Sequence, residues 1–135
     1  MRRREEGAAA VEFAIIAPLL FILLFGILQF GIAFLHVQTI RTAVREGGRL
    51  AAVGGSVTEV RSKTKASALG YIDNQNDVAV NPNPRTGPVC DAQNIGEDAT
   101  VSFDTESEGG IDVSIPLIPT IHLSPTIQAN FRCEV

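Results

Sequence analysis

Two cysteines are the residues of this sequence with the best-defined potential chemistry. Cys90 and Cys133 both lie in the C-terminal half, where an oxidising compartment would let them form a disulfide. Such a bond would close a loop of about 44 residues and stabilise a small domain by about 4 kcal/mol on the chain-entropy account. Because the sequence does not show that the two sulfurs meet, two buried thiols or one surface thiol are the alternatives.

Glu12 is the second unusual group, because it lies at the start of a long apolar segment. A carboxylate at the margin of an apolar helix is costly unless it has a partner or reaches the membrane interface. Its place near a helix start is one explanation, since the macrodipole favours negative charge there. An amine partner is the other, because a charge pair in apolar surroundings costs much less than two separate charges.

The remaining titratable residues do not have the spacing of a catalytic or cofactor site. The sequence contains no nucleophile motif, phosphate-binding glycine loop or paired metal-ligand motif. Asp104, Glu106 and Glu108 fall in a predicted turn, where a solvated edge explains them better than a Ca²⁺ site without EF-hand spacing. His122 is predicted to lie in a loop. We therefore expect no enzyme, no cofactor and no bound metal.

Charge is unevenly distributed along the chain. The net charge of −4 and the pI of about 5.1 argue against a nucleic-acid partner. Residues 37–72 hold six basic and two acidic side chains, whereas residues 73–135 hold two basic and ten acidic ones. Arg41, Arg45 and Arg49 form a basic face at helical spacing, which would contact lipid phosphates, contact an acidic partner or simply be solvated.

Residues 13–35 form an apolar run of 23 residues without a charged side chain, enough to span a hydrocarbon core of about 30 Å. A cleaved secretory signal has a shorter apolar core followed by small residues, whereas here the small residues precede the run. We therefore predict a membrane anchor. The positive-inside rule does not fix its orientation, because Arg2–Arg4 on one side are balanced by Arg41, Arg45 and Arg49 on the other. The cysteines in the C-terminal half favour Arg2–Arg4 on the cytoplasmic side. Pro18 should kink or loosen the helix, and Gln29 is the one polar side chain within the run.

Beyond the membrane, the apolar periodicity predicts that the helix continues to about Val53. A capping-box pattern at residues 56–59 predicts a second helix from about Val57 to Gly70. Alternating apolar residues predict strands, with a hairpin turn at Glu108–Gly110 joining the second strand to the third. The strands are at 77–80, 100–104, 111–115 and 127–133. The predicted class is α+β: a long N-terminal transmembrane helix continuing into a neck, then a small helix and an antiparallel sheet.

The N-terminal motifs resemble a known family. Gly7, four further residues and then Glu12-Phe13 before an apolar stretch resemble the processing site of type IV prepilins. Several later motifs strengthen the resemblance over residues 7–53 and follow in the family's order: Ala14-Ile15-Ile16-Ala17-Pro18, Phe25-Gly26-Ile27, Gln29-Phe30-Gly31, and Val44 to Ala52. Together they are similar to the TadE-like minor pseudopilins of the tight-adherence (Flp, type IVc) pilus system.

The resemblance implies that a prepilin peptidase cuts between Gly7 and Ala8. The new amine of Ala8 would then lie near Glu12 of the same or an adjacent subunit, with Phe13 and Pro18 also belonging to the assembly region. The implied partners are membrane lipid, the peptidase, other pilins or pseudopilins and the inner-membrane assembly platform. The sequence departs from many relatives at Gln29, where they have an acidic residue.

The sequence is accordingly divided into a leader, a transmembrane helix, a neck helix and a small extracytoplasmic α+β domain. Their bounds are 1–7, 8–36, 37–55 and 56–135. The resemblance places the protein in the bacterial inner membrane as a single-pass protein, or in an extracellular pilus, with a role in pilus assembly, surface attachment or secretion. The alternative is an uncleaved bitopic envelope protein whose outer domain binds a ligand or partner.

Overall fold

The computed structural model describes residues 2–84 and 87–134, with side chains from Gly7 onward, so Met1 of the predicted leader and Val135 of the predicted outer domain lie outside it. Within these residues the fold is α+β, as predicted. The helices are α1 (Arg2–Ala52) and α2 (Val57–Ser67), and the strands are β1 (Val78–Asn81), β2 (Asp98–Asp104), β3 (Ile111–Val113), β4 (Ile121–Leu123) and β5 (Thr126–Arg132).

Helix α1 is a single continuous element. Its helical backbone passes through Pro18, and from Gly7 onward it is long and apolar enough to cross a membrane. The predicted extension into the neck is confirmed, since Ile40, Val44 and Ala51 form a fully buried stripe against the outer domain. The helix ends where the amide of Gly54, a residue with a φ of 87°, donates to the carbonyl of Ala51.

The glycine pair near the end of α1 lies where other elements pack closest to the helix. A Cβ atom at Gly47 would overlap the side chain of Thr64 on α2, and one at Gly48 would overlap the ring of Phe131 on β5. Glycine lowers helix propensity by about 1 kcal/mol relative to alanine, so propensity alone disfavours both positions. The close approach of α2 and β5 explains why small residues are needed there.

Helix α2 begins with the predicted capping box. The backbone amide of Ser56 donates to a carboxylate oxygen of Glu59 at 2.9 Å, and the Ser56 hydroxyl accepts from the Glu59 amide at 3.3 Å. Hydrogen bonds from the backbone and side chain of Ser56 lower the pKa of Glu59. The helix ends at Ser67, three residues before the predicted end.

Three strands form the main antiparallel sheet, in the order β1-β2-β5. The predicted inward face of β2 is confirmed, because Val101 and Phe103 are buried. Phe103 lies opposite Val78 of β1 and Ile127 of β5, so all three side chains point toward one face. That face packs against α1 and α2 and builds the larger of two hydrophobic clusters.

The predicted hairpin between β2 and β3 is wrong. Residues Thr105–Glu108 instead form a short 3₁₀ helix, which starts with the carboxylate of Asp104 accepting from the amide of Glu106 at 3.1 Å. The carboxylate of Glu108 accepts from the amides of Asp73 and Asn74 at 2.9 and 3.1 Å. The 3₁₀ helix and these long-range bonds hold the chain after β2 in a different path, so the two glycines that follow do not close a hairpin.

Strand β3 pairs instead with β4, which the sequence analysis did not predict. The pair forms a separate two-stranded sheet whose buried residues, Ile111 and Val113, pack on Ala33 of α1. Strand β3 ends at Val113, so Ile115, predicted to belong to it, lies in the following loop. This loop, residues 114–120, is called the hairpin loop below.

Candidate functional site

The residues of the predicted processing and assembly site lie along the exposed N-terminal part of α1. Gly7, Ala8, Glu12 and Phe13 are all solvent-accessible, and 70% of Phe13 is exposed. Ala8 and Glu12 are four residues apart and so lie about one turn apart on the same face of the helix. Among the side chains that the structure describes, none forms an ion pair with Glu12. The carboxylate is therefore available to a group from outside this chain or to a new amine.

Pro18 lies about one and two-thirds turns beyond Glu12, and its surface is exposed as well. The apolar window of α1 contains no buried residue. The outer domain thus leaves most of this segment uncovered. A surface of this kind requires lipid or other apolar helices around it.

The predicted basic face of the neck is exposed on the side of α1 that the outer domain does not cover. Arg41, Arg45 and Arg49 are all solvent-accessible. Arg49 lies 4.0 Å from the carboxylate of Glu46 in a surface ion pair, which contributes little to stability. The face can therefore reach anionic groups outside the chain.

The structure joins Cys90 and Cys133 in a disulfide, with the Cα atoms 5.4 Å apart. Both residues are buried next to the end of α1. The amide of Val89 donates to the carbonyl of Gly55 at 2.9 Å, and the amide of Glu134 donates to the carbonyl of Ala52 at 3.1 Å. The disulfide and these two hydrogen bonds together hold the segments around Cys90 and Cys133 against the end of α1.

His122 is a site residue that sequence reasoning missed, and its predicted place in a loop is wrong. It lies in β4 directly opposite Asp112 of β3. One ring nitrogen, Nδ1, is 2.7 Å from a carboxylate oxygen of Asp112, and Nε2 is 3.3 Å from one of Glu106. The ring also covers Gly110, where a Cβ atom would overlap it. The apolar residues Ile121 and Leu123 on either side of His122 were a signal for a strand. The identity of Asp112 as its partner depends on the β3–β4 pairing, which that signal does not give.

This cluster is a structural contact between the second sheet and the 3₁₀ helix. The two carboxylates bind opposite sides of the imidazole ring, so they do not converge on one point. Within residues 7–84 and 87–134, no group of three His, Cys, Asp or Glu side chains is placed to hold a metal ion. This geometry fits a role in holding the β3–β4 pair next to the 3₁₀ helix.

We expect the pKa of His122 to lie above the ordinary value for a histidine. Hydrogen bonds to Asp112 and then to Glu106 raise the pKa of His122, so the contact stabilises the fold fully below about pH 6.5 and is lost as pH rises through the folded-state pKa. An NMR titration of the ring in detergent micelles measures this directly. Asp112→Asn should lower the pKa, whereas Asp98→Asn should leave it unchanged. A wild-type value at or below the ordinary one would contradict the assignment.

Comparison with known proteins agrees with the N-terminal motifs. The family model described as "TadE-like protein" matches residues 7–49. No curated protein and no solved structure matches the chain. The matched segment contains Gly7, Glu12 and Pro18 and ends at Arg49. The family resemblance predicted from the sequence is therefore confirmed for residues 7–49, which are a TadE-like segment and indicate a role in the tight-adherence pilus system.

Proposed function

We propose that the chain is a minor pseudopilin, processed after Gly7 by a prepilin peptidase and assembled with other pilins through its apolar helix. The observation that carries this proposal is the exposed N-terminal part of α1, with a carboxylate one turn from the cleavage position. The protein contributes to pilus assembly and through it to surface attachment or secretion. It acts by binding and carries out no catalysis.

The geometry around Gly7 supports processing. A Cβ atom at Gly7 would meet no atom within 4 Å, so the fold itself does not require glycine there. A need for a small residue at this position would instead come from the peptidase, whose subsite before the scissile bond would be small. Cleavage between Gly7 and Ala8 would free an amine about 6 Å along the helix axis from Glu12.

The pairing of this amine with Glu12 supports assembly. A carboxylate and an ammonium group in apolar surroundings are each costly alone, and their mutual attraction offsets part of that cost. The helix of a neighbouring subunit offers the same pair, so the contact can form within one chain or between two. Membrane lipid, other pilins and the assembly platform are the partners that the exposed helix would meet.

The disulfide supports an extracytoplasmic outer domain, because such bonds persist in oxidising compartments. With the outer domain outside, the N-terminus and its arginines lie on the cytoplasmic side, where the peptidase would cut. The protein is then a single-pass protein of the inner membrane before it enters a pilus or remains at its base.

Removing the Glu12 carboxylate tests the assembly contact. We expect Glu12→Ala to insert into the membrane normally but to bind pilin partners about a hundredfold more weakly, because losing one member of a buried pair costs about 3 kcal/mol. Co-purification with the pilins, quantified by mass spectrometry, is the measurement. Glu46→Ala removes a carboxylate from the same helix within the neck and serves as the matched control. Equal recovery of pilins with Glu12→Ala and with the wild-type protein would contradict the proposed contact.

A further inference from the structure

The hairpin loop lies against the part of α1 that is predicted to cross the membrane. The Cδ1 atom of Ile115 is 3.8 Å from the position that a Cβ atom on Gly26 would occupy. Ile115 also belongs to the cluster that packs against Ile22, another residue of the apolar run. The loop and helix together line an open apolar groove of about 500 Å³, which extends to Phe30 and Ile118.

The position of this contact along the helix indicates its depth. Gly26 is nine residues before Leu35, the last residue of the apolar run, a distance of about 13 Å along the axis. A hydrocarbon core is about 30 Å thick. Ile22, which lines the same groove, is thirteen residues before Leu35, or about 20 Å. If residues 13–35 cross the core, the tip of the hairpin loop reaches about the middle of the bilayer from the side of the outer domain.

The composition of the hairpin loop fits such a location. Residues 113–121 contain no charged side chain, and the loop contains two prolines, Pro116 and Pro119. Proline lacks a backbone N–H group, so the loop has fewer donors that must find partners in hydrocarbon. The amide of Ile118 donates to the carbonyl of Ile115 at 3.1 Å, which satisfies one of the donors that remain. Leu117 is 89% exposed and belongs to neither hydrophobic cluster.

Charged and titratable side chains lie on either side of the uncharged loop. Asp112 and His122 bound it on β3 and β4. On the helix, Arg41 lies beside Leu123 at the edge of a second apolar groove. Arg41 is six residues beyond Leu35, or about 9 Å, which is near the outer edge of the headgroup region. Its long side chain can reach back to the phosphates.

We propose that the hairpin loop inserts into the membrane leaflet on the side of the outer domain and contacts lipid acyl chains beside α1. Its exposed apolar surface is continuous with the exposed surface of the helix, so the same solvent must surround both. The loop then sets the height and tilt of the outer domain relative to the bilayer, since it holds the domain at two points instead of one. This inference rests on the membrane span alone and not on processing after Gly7.

The protein contains no tryptophan, which makes a single introduced tryptophan a direct probe. The full-length Leu117→Trp protein is reconstituted at low protein density into phosphatidylcholine and phosphatidylglycerol vesicles, with and without bromine on the acyl chains. Ile95→Trp is the matched control, because Ile95 is also exposed, at 60%. Its loop is bonded to Cys133 through the amide of Gly96, near the end of α1 that is distant from the membrane.

We expect the brominated chains to quench Leu117→Trp several-fold more strongly than Ile95→Trp, and aqueous acrylamide to show the reverse order. Equal quenching of both variants by acrylamide would place the loop in water and overturn the proposal. Protection of Leu117→Trp from both quenchers would show that another polypeptide covers the loop, and would overturn it as well. Circular dichroism of each variant checks that the fold is retained.

Discussion

Replacing Cys90 and Cys133 together by alanine is expected to lower the free energy of unfolding of the outer domain by about 4 kcal/mol. The disulfide links residues 43 positions apart, and the enclosed segment includes the four strands β2 to β5. Without the bond, the unfolded chain regains the conformational entropy that this closed loop removes. A domain of this size has a total stability of only about 5–15 kcal/mol, so the loss is a large fraction of the whole.

The single tyrosine of the chain, Tyr71, reports on this unfolding. It stacks on His36 of α1 with the ring centroids 4.0 Å apart, and its fluorescence should change when the outer domain separates from the helix. Urea titration of the full chain in detergent should show a midpoint lower by roughly 2 M or more. Alanine is preferable to serine because both sites are buried, and a hydroxyl there would add a desolvation cost.

The wild-type protein treated with a reducing agent is the control for the disulfide prediction. It should unfold at nearly the same urea concentration as the double variant, because both lack the covalent link. A double variant whose midpoint equals that of the oxidised wild-type protein would show that the bond does not constrain the unfolded chain.

Gly7→Leu is expected to abolish processing in the native host. The peptidase requires a small residue before the cut under the proposed function, and leucine would fill that subsite. The folded chain itself should tolerate the change, since nothing lies within 4 Å of a Cβ atom at this position. The intact mass of the protein recovered from membranes would then include the leader.

Ala10→Leu is the matched control for Gly7→Leu. It places the same side chain on the same exposed face of α1, three residues into the mature segment. It should be cleaved like the wild-type protein. Cleavage of Gly7→Leu to the same extent as the wild-type protein would exclude the bond between Gly7 and Ala8 as the processing site.

Locally encoded features were predictable from the sequence. The apolar run, the buried stripe of α1 and the capping box at Ser56 each depend on neighbouring residues, and the structure shows all three. The inward positions of Val101 and Phe103 followed from simple alternation. The same is true of the TadE-like motifs, because they lie in one uninterrupted segment.

Features that depend on distant partners were not predictable. The glycines after Glu108 fit a hairpin turn equally well, but the carboxylate of Glu108 binds the Asp73 amide 35 residues earlier. Strand β3 pairs with β4 instead of β2, and that pairing places Asp112 opposite His122. The need for glycine at positions 47 and 48 could not be predicted for the same reason, since the side chains that pack against them belong to α2 and β5.

The measurement that tests the account most directly is the intact mass and N-terminal sequence of the protein purified from its native membrane. Processing by a prepilin peptidase predicts a chain that begins at Ala8 and retains the apolar segment. A chain that begins at Met1 would contradict processing and favour a bitopic protein whose outer domain binds a ligand or partner. A chain that begins beyond Leu35 would contradict the membrane anchor itself, because the apolar segment would then be a removed signal.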